Sequence, residues 1–169
     1  EESEYPEIKV PFVTDEQLAA EWKPYKRIGE NFARAWAIPG TKGAMHRVGG
    51  LEKDFETSVI SNDGANHALM IETRRSKVAK IANSVPDLTI AGEKDADTIL
   101  VGWGGTYGHL YTAMEELNAD GNENHKVALA QFRYINPMPK NAIEDLSRFK
   151  RIIVAELNTG QFADYLQMH

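Results

Sequence analysis

The 169-residue chain has no cysteine, so it supplies no disulfide, no thiolate nucleophile and no iron–sulfur ligand. It has no excess of positive charge either. A formal net charge of -6 leaves it without the dense basic surface that counterion release on nucleic acid requires. No apolar run approaches the roughly 20 residues that cross a bilayer. The opening Glu1-Glu2-Ser3-Glu4-Tyr5 shows neither the basic start nor the apolar stretch of a signal peptide. These absences predict a cytoplasmic protein with no nucleic-acid partner and no membrane partner. Internal repeats and low-complexity tracts are missing as well.

Reaction signatures are equally scarce. No Gly-Lys-Ser/Thr follows a glycine loop, and no Gly-x-Ser-x-Gly elbow is present. His46, His67, His109, His125 and His169 stand in no four-residue pair and join no acidic spacing, so they form no metal-ligand set. The residues themselves nominate no catalytic, cofactor-binding or metal-ligating group.

What is present is a fold. An apolar share of 42% and a charged share of 26% suit a soluble globular protein, and the length allows a sizeable core. The strongest pattern is Asp97-Thr98-Ile99-Leu100-Val101-Gly102-Trp103-Gly104-Gly105-Thr106-Tyr107-Gly108, followed by Leu110, Ala113, Met114 and Leu117. It reads as a buried strand, a glycine turn and an amphipathic helix. The alternation then repeats, with strands over 126–132 and 151–156 and helices over 141–149 and from Gln161 onward. Such alternation predicts a mostly parallel α/β sheet covered by helices. Leu88-Thr89-Ile90-Ala91 predicts a short antiparallel strand at the sheet's edge.

The first half is less regular. Thr14-Asp15-Glu16-Gln17 has capping-box spacing and opens a short helix running through Leu18 and Trp22. The glycines and prolines between Pro39 and Gly50 predict turns, or an arm lying on another surface. A long helix is expected over 65–84, capped by Asp63 or Asn66 and stopped by Pro86, with Val78, Ile81, Ala82 and Val85 as its apolar stripe. Arg74, Arg75, Lys77 and Lys80 lie on it, as a solvated face or a contact for an anion or acidic partner.

Ligands of open α/β sheets sit at the carboxyl ends of the strands. Here those ends offer the Gly102–Gly108 turn, Tyr134-Ile135-Asn136-Pro137 and Glu156-Leu157-Asn158-Thr159-Gly160-Gln161. The turn is not a dinucleotide fingerprint, because Tyr107 stands where the third glycine belongs. The backbone N–H groups of Gly104, Gly105 and Thr106 either hold an anion or simply make a tight turn. An independent α/β module binding a phosphate or nucleotide there is one reading of the chain. Glu156, Asn158 and Gln161 form a polar cluster expected to face a subunit interface.

The order of several stretches resembles the alpha subunit of 2-oxoacid:ferredoxin oxidoreductases. They are Ala37-Ile38-Pro39-Gly40, His46-Arg47-Val48-Gly49-Gly50-Leu51-Glu52-Lys53, Asn66-His67 and Thr73-Arg74-Arg75-Ser76-Lys77-Val78. Val101-Gly102-Trp103-Gly104, Arg133-Tyr134-Ile135-Asn136-Pro137-Met138-Pro139-Lys140 and Glu156-Leu157-Asn158-Thr159-Gly160-Gln161 continue the series. Gly49-Gly50-Leu51-Glu52-Lys53 resembles the branch acting on 2-oxoglutarate, although Ser58-Val59 replaces an expected Gly-Asn.

The resemblance implies a three-layer α/β/α sandwich like the transketolase C-terminal domain over 88–169, truncated at its C-terminal end. A connecting arm and helix over 1–87 would precede it. It implies an architectural, non-catalytic role in an enzyme making succinyl-coenzyme A, CO2 and reduced ferredoxin. Thiamine diphosphate, Mg2+ and an iron–sulfur cluster would be held elsewhere, in the N-terminal part of the alpha subunit or in the beta subunit. The family's upstream Tyr-Pro-Ile-Thr-Pro and Gly-Asp-Gly texts are absent from this chain.

Overall fold

The computed structural model describes residues 9–121 and 126–169. Readings placed on residues 1–5 and on His125 lie outside the described residues. The chain divides into two compact units, with the boundary between Lys80 and Ile81.

The first unit begins its regular structure with α1, Asp15–Ala19, opened by the expected capping box. The Thr14 hydroxyl accepts from the Gln17 N–H at 3.3 Å, and the Gln17 side chain accepts from the Thr14 N–H at 3.0 Å. The helix ends short of Trp22, and Glu21 turns to a φ of 57°. From Pro39 to Gly50 there is no regular structure. Gly40, Gly43 and Gly50 turn the backbone there at positive φ, as the composition predicts.

The long helix is α2, Gly64–Lys80, followed by a 3-10 turn over Ile81–Ser84. Asp63 caps it, accepting from the Asn66 N–H at 2.7 Å. The expected stripe is overturned: Val78 and Ile81 are exposed, whereas Met70 and Thr73 are buried. The reason lies in Asn66. Its amide accepts from the Phe55 N–H at 2.9 Å and donates to the Lys53 carbonyl at 2.9 Å. That double contact turns the 66/70/73 face toward the 53–66 turns. Buried Thr73 donates its hydroxyl to the Leu69 carbonyl at 2.7 Å, so its burial leaves no polar group unmet.

The second unit holds the sheet. Its strands are β1 (Ile90–Gly92), β2 (Thr98–Trp103), β3 (Val127–Phe132) and β4 (Arg151–Val154). Their order is β1-β3-β2-β4, with β1 antiparallel to β3 and the other pairs parallel. The antiparallel edge strand agrees with the expectation from Leu88–Ala91. The helices are α3 (Tyr107–Ala119), α4 (Ala142–Leu146) and α5 (Gln161–Gln167).

Side-chain alternation along the strands makes the three layers. Ile99, Val101, Ala128, Ala130 and Phe132 pack on Ala142 and Leu146 of α4 and on Phe162 of α5. Leu100, Val127 and Leu129 face Met114 of α3 on the other side. One residue of the expected α3 stripe is misplaced, for Leu117 is exposed. Asn118 faces the sheet instead, donating to the Val127 carbonyl at 3.0 Å and accepting from the Val127 N–H at 2.8 Å. The 151–156 strand also departs from expectation. It is an edge strand ending at Val154, so Ile152 and Ile153 keep 44% and 42% of their surface in solvent.

Candidate functional site

Because β2, β3 and β4 run parallel and in register, their carboxyl ends meet at one edge. Trp103 pairs with Phe132, and Val101 pairs with Val154. The three sequence-nominated stretches therefore converge there: the 102–108 turn, residues 134–137 and residues 156–161.

At the end of β2, Gly104–Thr106 forms one 3-10 turn leading into α3. Gly104 has a φ of 58°, where a side chain is strained. Gly102 is needed for a different reason. A Cβ on it would lie 2.3 Å from Leu110 Cδ1, 2.6 Å from Thr106 Oγ1 and 2.8 Å from Gln131 Oε1. The Thr106 hydroxyl is used locally, accepting from the Trp103 N–H at 3.2 Å and donating to the Trp103 carbonyl at 2.9 Å. Gln131 donates to the Gly104 carbonyl at 3.0 Å. Together these contacts fasten the turn to the sheet.

Glu156 lies just beyond β4. Its carboxylate accepts from the Phe162 N–H at 3.0 Å, the Ala163 N–H at 3.1 Å and the Trp103 indole N–H at 3.3 Å. Two of those donors are first-turn amides of α5, groups that a helix leaves unpaired at its start. The carboxylate therefore caps α5 and ties β2 to it. Burial pushes the Glu156 carboxyl up. The hydrogen bonds from Ala163, Phe162, Asn158 and Trp103 outweigh burial and hold it below the usual carboxylate range.

Asn158 and Gln161, grouped with Glu156 by sequence, shape the same loop. Asn158 accepts from the Gly160 N–H at 3.0 Å. Gln161 accepts from the Thr159 N–H at 3.1 Å and donates to the Thr159 hydroxyl at 2.8 Å. Leu157, between Glu156 and Asn158, is 92% exposed.

Beside this edge lies a cavity of about 920 Å³, with Thr89, Trp103, Tyr107, Gln131 and Tyr134 on its wall. Tyr107 belongs to the Gly102–Gly108 turn nominated from the sequence, whereas Gln131 was not foreseen as a wall residue. The alternation in β3 carried the signal for Gln131, because it puts that residue on the face of Leu129, away from Phe132. Among the described residues, no group of three His, Asp or Glu side chains is placed to hold a metal ion, and no helix is long and apolar enough to cross a membrane.

No protein-family model matches the chain. It is 42% identical over 147 residues to the 2-oxoglutarate oxidoreductase subunit KorA of Mycobacterium tuberculosis, covering 86% of this chain and 22% of that protein. The chain belongs to the 2-oxoacid:ferredoxin oxidoreductase alpha-subunit family. A second relative, the 2-oxoacid:ferredoxin oxidoreductase 1 alpha subunit of Aeropyrum pernix, is 30% identical over 152 residues, 86% of this chain and 23% of its own length. A solved 2-oxoglutarate:ferredoxin oxidoreductase from Magnetococcus marinus, with 2-oxoglutarate, coenzyme A and succinyl-CoA bound, superposes with a TM-score of 0.74 at 31% identity. That superposition covers 87% of this chain and 25% of the solved one. The chain thus spans about a fifth of the length of the curated alpha subunits it matches. The mixed sheet with one antiparallel strand is accordingly an alpha-subunit fold, as the resemblance of the ordered stretches implies.

Proposed function

We propose that this chain is the architectural, subunit-contact part, C-terminal in position, of a thiamine-diphosphate-dependent 2-oxoacid:ferredoxin oxidoreductase alpha subunit. The intact enzyme converts 2-oxoglutarate and coenzyme A to succinyl-coenzyme A, CO2 and reduced ferredoxin in the cytoplasm. The carrying observation is the 42% identity to a 2-oxoglutarate oxidoreductase subunit over 86% of the chain. The carboxyl edge of the sheet supports the role. Thr106, Glu156, Asn158, Gln161 and the Gln131 amide N–H are engaged by the chain's own turns and helix ends, while Gln131 Oε1 is buried without a hydrogen-bond partner.

The intact enzyme's cofactors do not fit the residues present. Without cysteine the chain cannot ligate an iron–sulfur cluster. Its described carboxylates and imidazoles do not converge in a set for the Mg2+ that accompanies thiamine diphosphate. Those groups belong to the rest of the alpha subunit and to the beta subunit, and no reaction step runs through this chain. Its task is to hold surfaces in place for them. The polar loop of Glu156, Asn158 and Gln161, with Leu157 projecting from it, is the surface assigned to subunit contact.

Calorimetric titration of the purified chain with thiamine diphosphate and Mg2+ tests the reading. No micromolar, Mg2+-dependent binding of thiamine diphosphate and no 2-oxoglutarate-dependent dye reduction are expected. Micromolar binding of thiamine diphosphate would refute the architectural role.

A further inference from the structure

We infer that Arg27 and Arg34 form a binding site for the phosphate group of a small-molecule ligand. The pair is set by backbone register. Ile28 and Ala33 bridge antiparallel, with the Ile28 N–H donating to the Ala33 carbonyl at 2.8 Å. Arg27 and Arg34 flank this bridge, one position outward on each side, close enough for the charge of Arg34 to act on Arg27. Like charges placed so destabilise a strand pair unless an anion lies between them.

The turn that enforces this arrangement is held firmly. Gly29 and Phe32 both take positive φ, 63° and 53°. Lys80 donates to the Glu30 carbonyl at 2.5 Å, and its ammonium sits 4.5 Å from the centre of the Phe32 ring. Arg34 is fixed in turn, its guanidinium carbon 4.8 Å from the centre of the Tyr25 ring. Tyr25 is anchored through its N–H to the Glu56 carbonyl at 2.9 Å and through its hydroxyl to the Arg47 carbonyl at 3.3 Å. The site is preorganised rather than two loose surface side chains.

Among the described residues no carboxylate pairs with Arg27 or Arg34. Arg74, the third guanidinium of the group, is taken by Glu52 at 3.0 Å, and Glu52 also contacts His67 at 3.1 Å. Arg27 Nε is buried without a hydrogen-bond partner, a condition native proteins rarely leave unmet. Burial, then the charges of Arg34 and Arg74, depress the proton affinity of Arg27, as an unneutralised cluster requires.

A phosphate monoester or diphosphate fits better than a carboxylate. It carries about two negative charges near neutral pH and several acceptor oxygens, enough for two guanidinium forks. A carboxylate has one charge and satisfies one fork.

The test is calorimetric titration of the 169-residue chain with inorganic pyrophosphate and, separately, with succinate, at an ionic strength of about 0.15 M. Saturable pyrophosphate binding is expected, with Kd below about 1 mM. Arg27→Gln and Arg34→Gln should each weaken it about tenfold or more, whereas Lys77→Gln on α2 should change it less than about twofold. Circular dichroism checks that each variant is folded. If a glutamine variant does not fold, Arg34→Lys replaces it, keeping the charge but losing the fork, and should still weaken binding. Absence of saturable binding, equal loss in Lys77→Gln, unchanged binding in folded Arg27 and Arg34 variants, or equal affinity for succinate would each overturn the inference.

Discussion

Gly102 and Gly104 stand two residues apart and are glycine for unlike reasons, which their substitutions should separate. At Gly102 an added Cβ meets Leu110, Thr106 and Gln131 at once, all closer than 3.0 Å. Leu110 and Gln131 have flexible ends, but Thr106 is pinned by hydrogen bonds to Trp103. Gly102→Ala should therefore cost about 1–3 kcal/mol through overpacking, and Gly102→Val more. Gly104 has open space around it and a φ of 58°, so Gly104→Ala should cost about 1–2 kcal/mol through backbone strain alone. Urea unfolding of both variants checks the pair, and a Gly102→Ala variant as stable as the parent would contradict the packing described. Glu156 supplies a pH-dependent test. Its folded-state value lies below that of the unfolded chain, near 4.3, so its stabilisation is complete above that value and fades as pH falls through the folded one. Glu156→Gln should be less stable than the parent at neutral pH. The gap should close as pH drops below about 4, as followed by urea midpoints across the range.

At the scale of elements, what fixes helix orientation is a set of asparagines that make paired bonds to a backbone. Asn66 grips Lys53 and Phe55, Asn118 grips Val127, and Asn141 grips Leu88 through bonds of 2.8 and 2.9 Å. Asn118→Ala should cost about 1–3 kcal/mol, since the N–H of buried Val127 loses its acceptor. Leu117→Ala, one residue away and exposed, should change stability by less than about 0.5 kcal/mol. Thermal unfolding of the two variants side by side measures the difference. The same residues show how far the sequence could be read. Element types and the antiparallel edge strand were legible, because Thr98–Trp103 and Val127–Phe132 carry long apolar runs bounded by turns. Helix faces were legible only in part, with Leu110 and Met114 of α3 placed correctly. Apolar periodicity favoured Val78 and Ile81 on α2 and Leu117 on α3, whereas paired hydrogen bonds from Asn66 and Asn118 set the rotation. At the site, the three converging loops followed from parallel topology. The capping role of Glu156 did not, because its partners, Phe162 and Ala163, lie on a helix whose placement periodicity does not fix.

At the scale of the whole molecule, apolar side chains left in solvent accompany a chain that spans about a fifth of its relatives' length. In the first unit, Met45, Val48 and Leu51 project from the 45–51 turns. Lys53 braces those turns from beneath, donating to the carbonyls of Gly49 and Leu51. In the second unit, Ile152 and Ile153 flank the open strand edge and Leu157 projects beyond it. Large apolar patches on a folded surface are places where a partner, a ligand or a membrane can pack. The proposed role of this chain is contact and support within a 2-oxoacid:ferredoxin oxidoreductase, with the chemistry left to other parts. Sedimentation velocity on the intact enzyme carrying Leu157→Asp, with 2-oxoglutarate-dependent activity normalised to the assembled fraction, tests it most directly. A smaller assembled fraction with unchanged activity per assembled complex is expected. Normal assembly with activity per complex lowered about tenfold or more would contradict it.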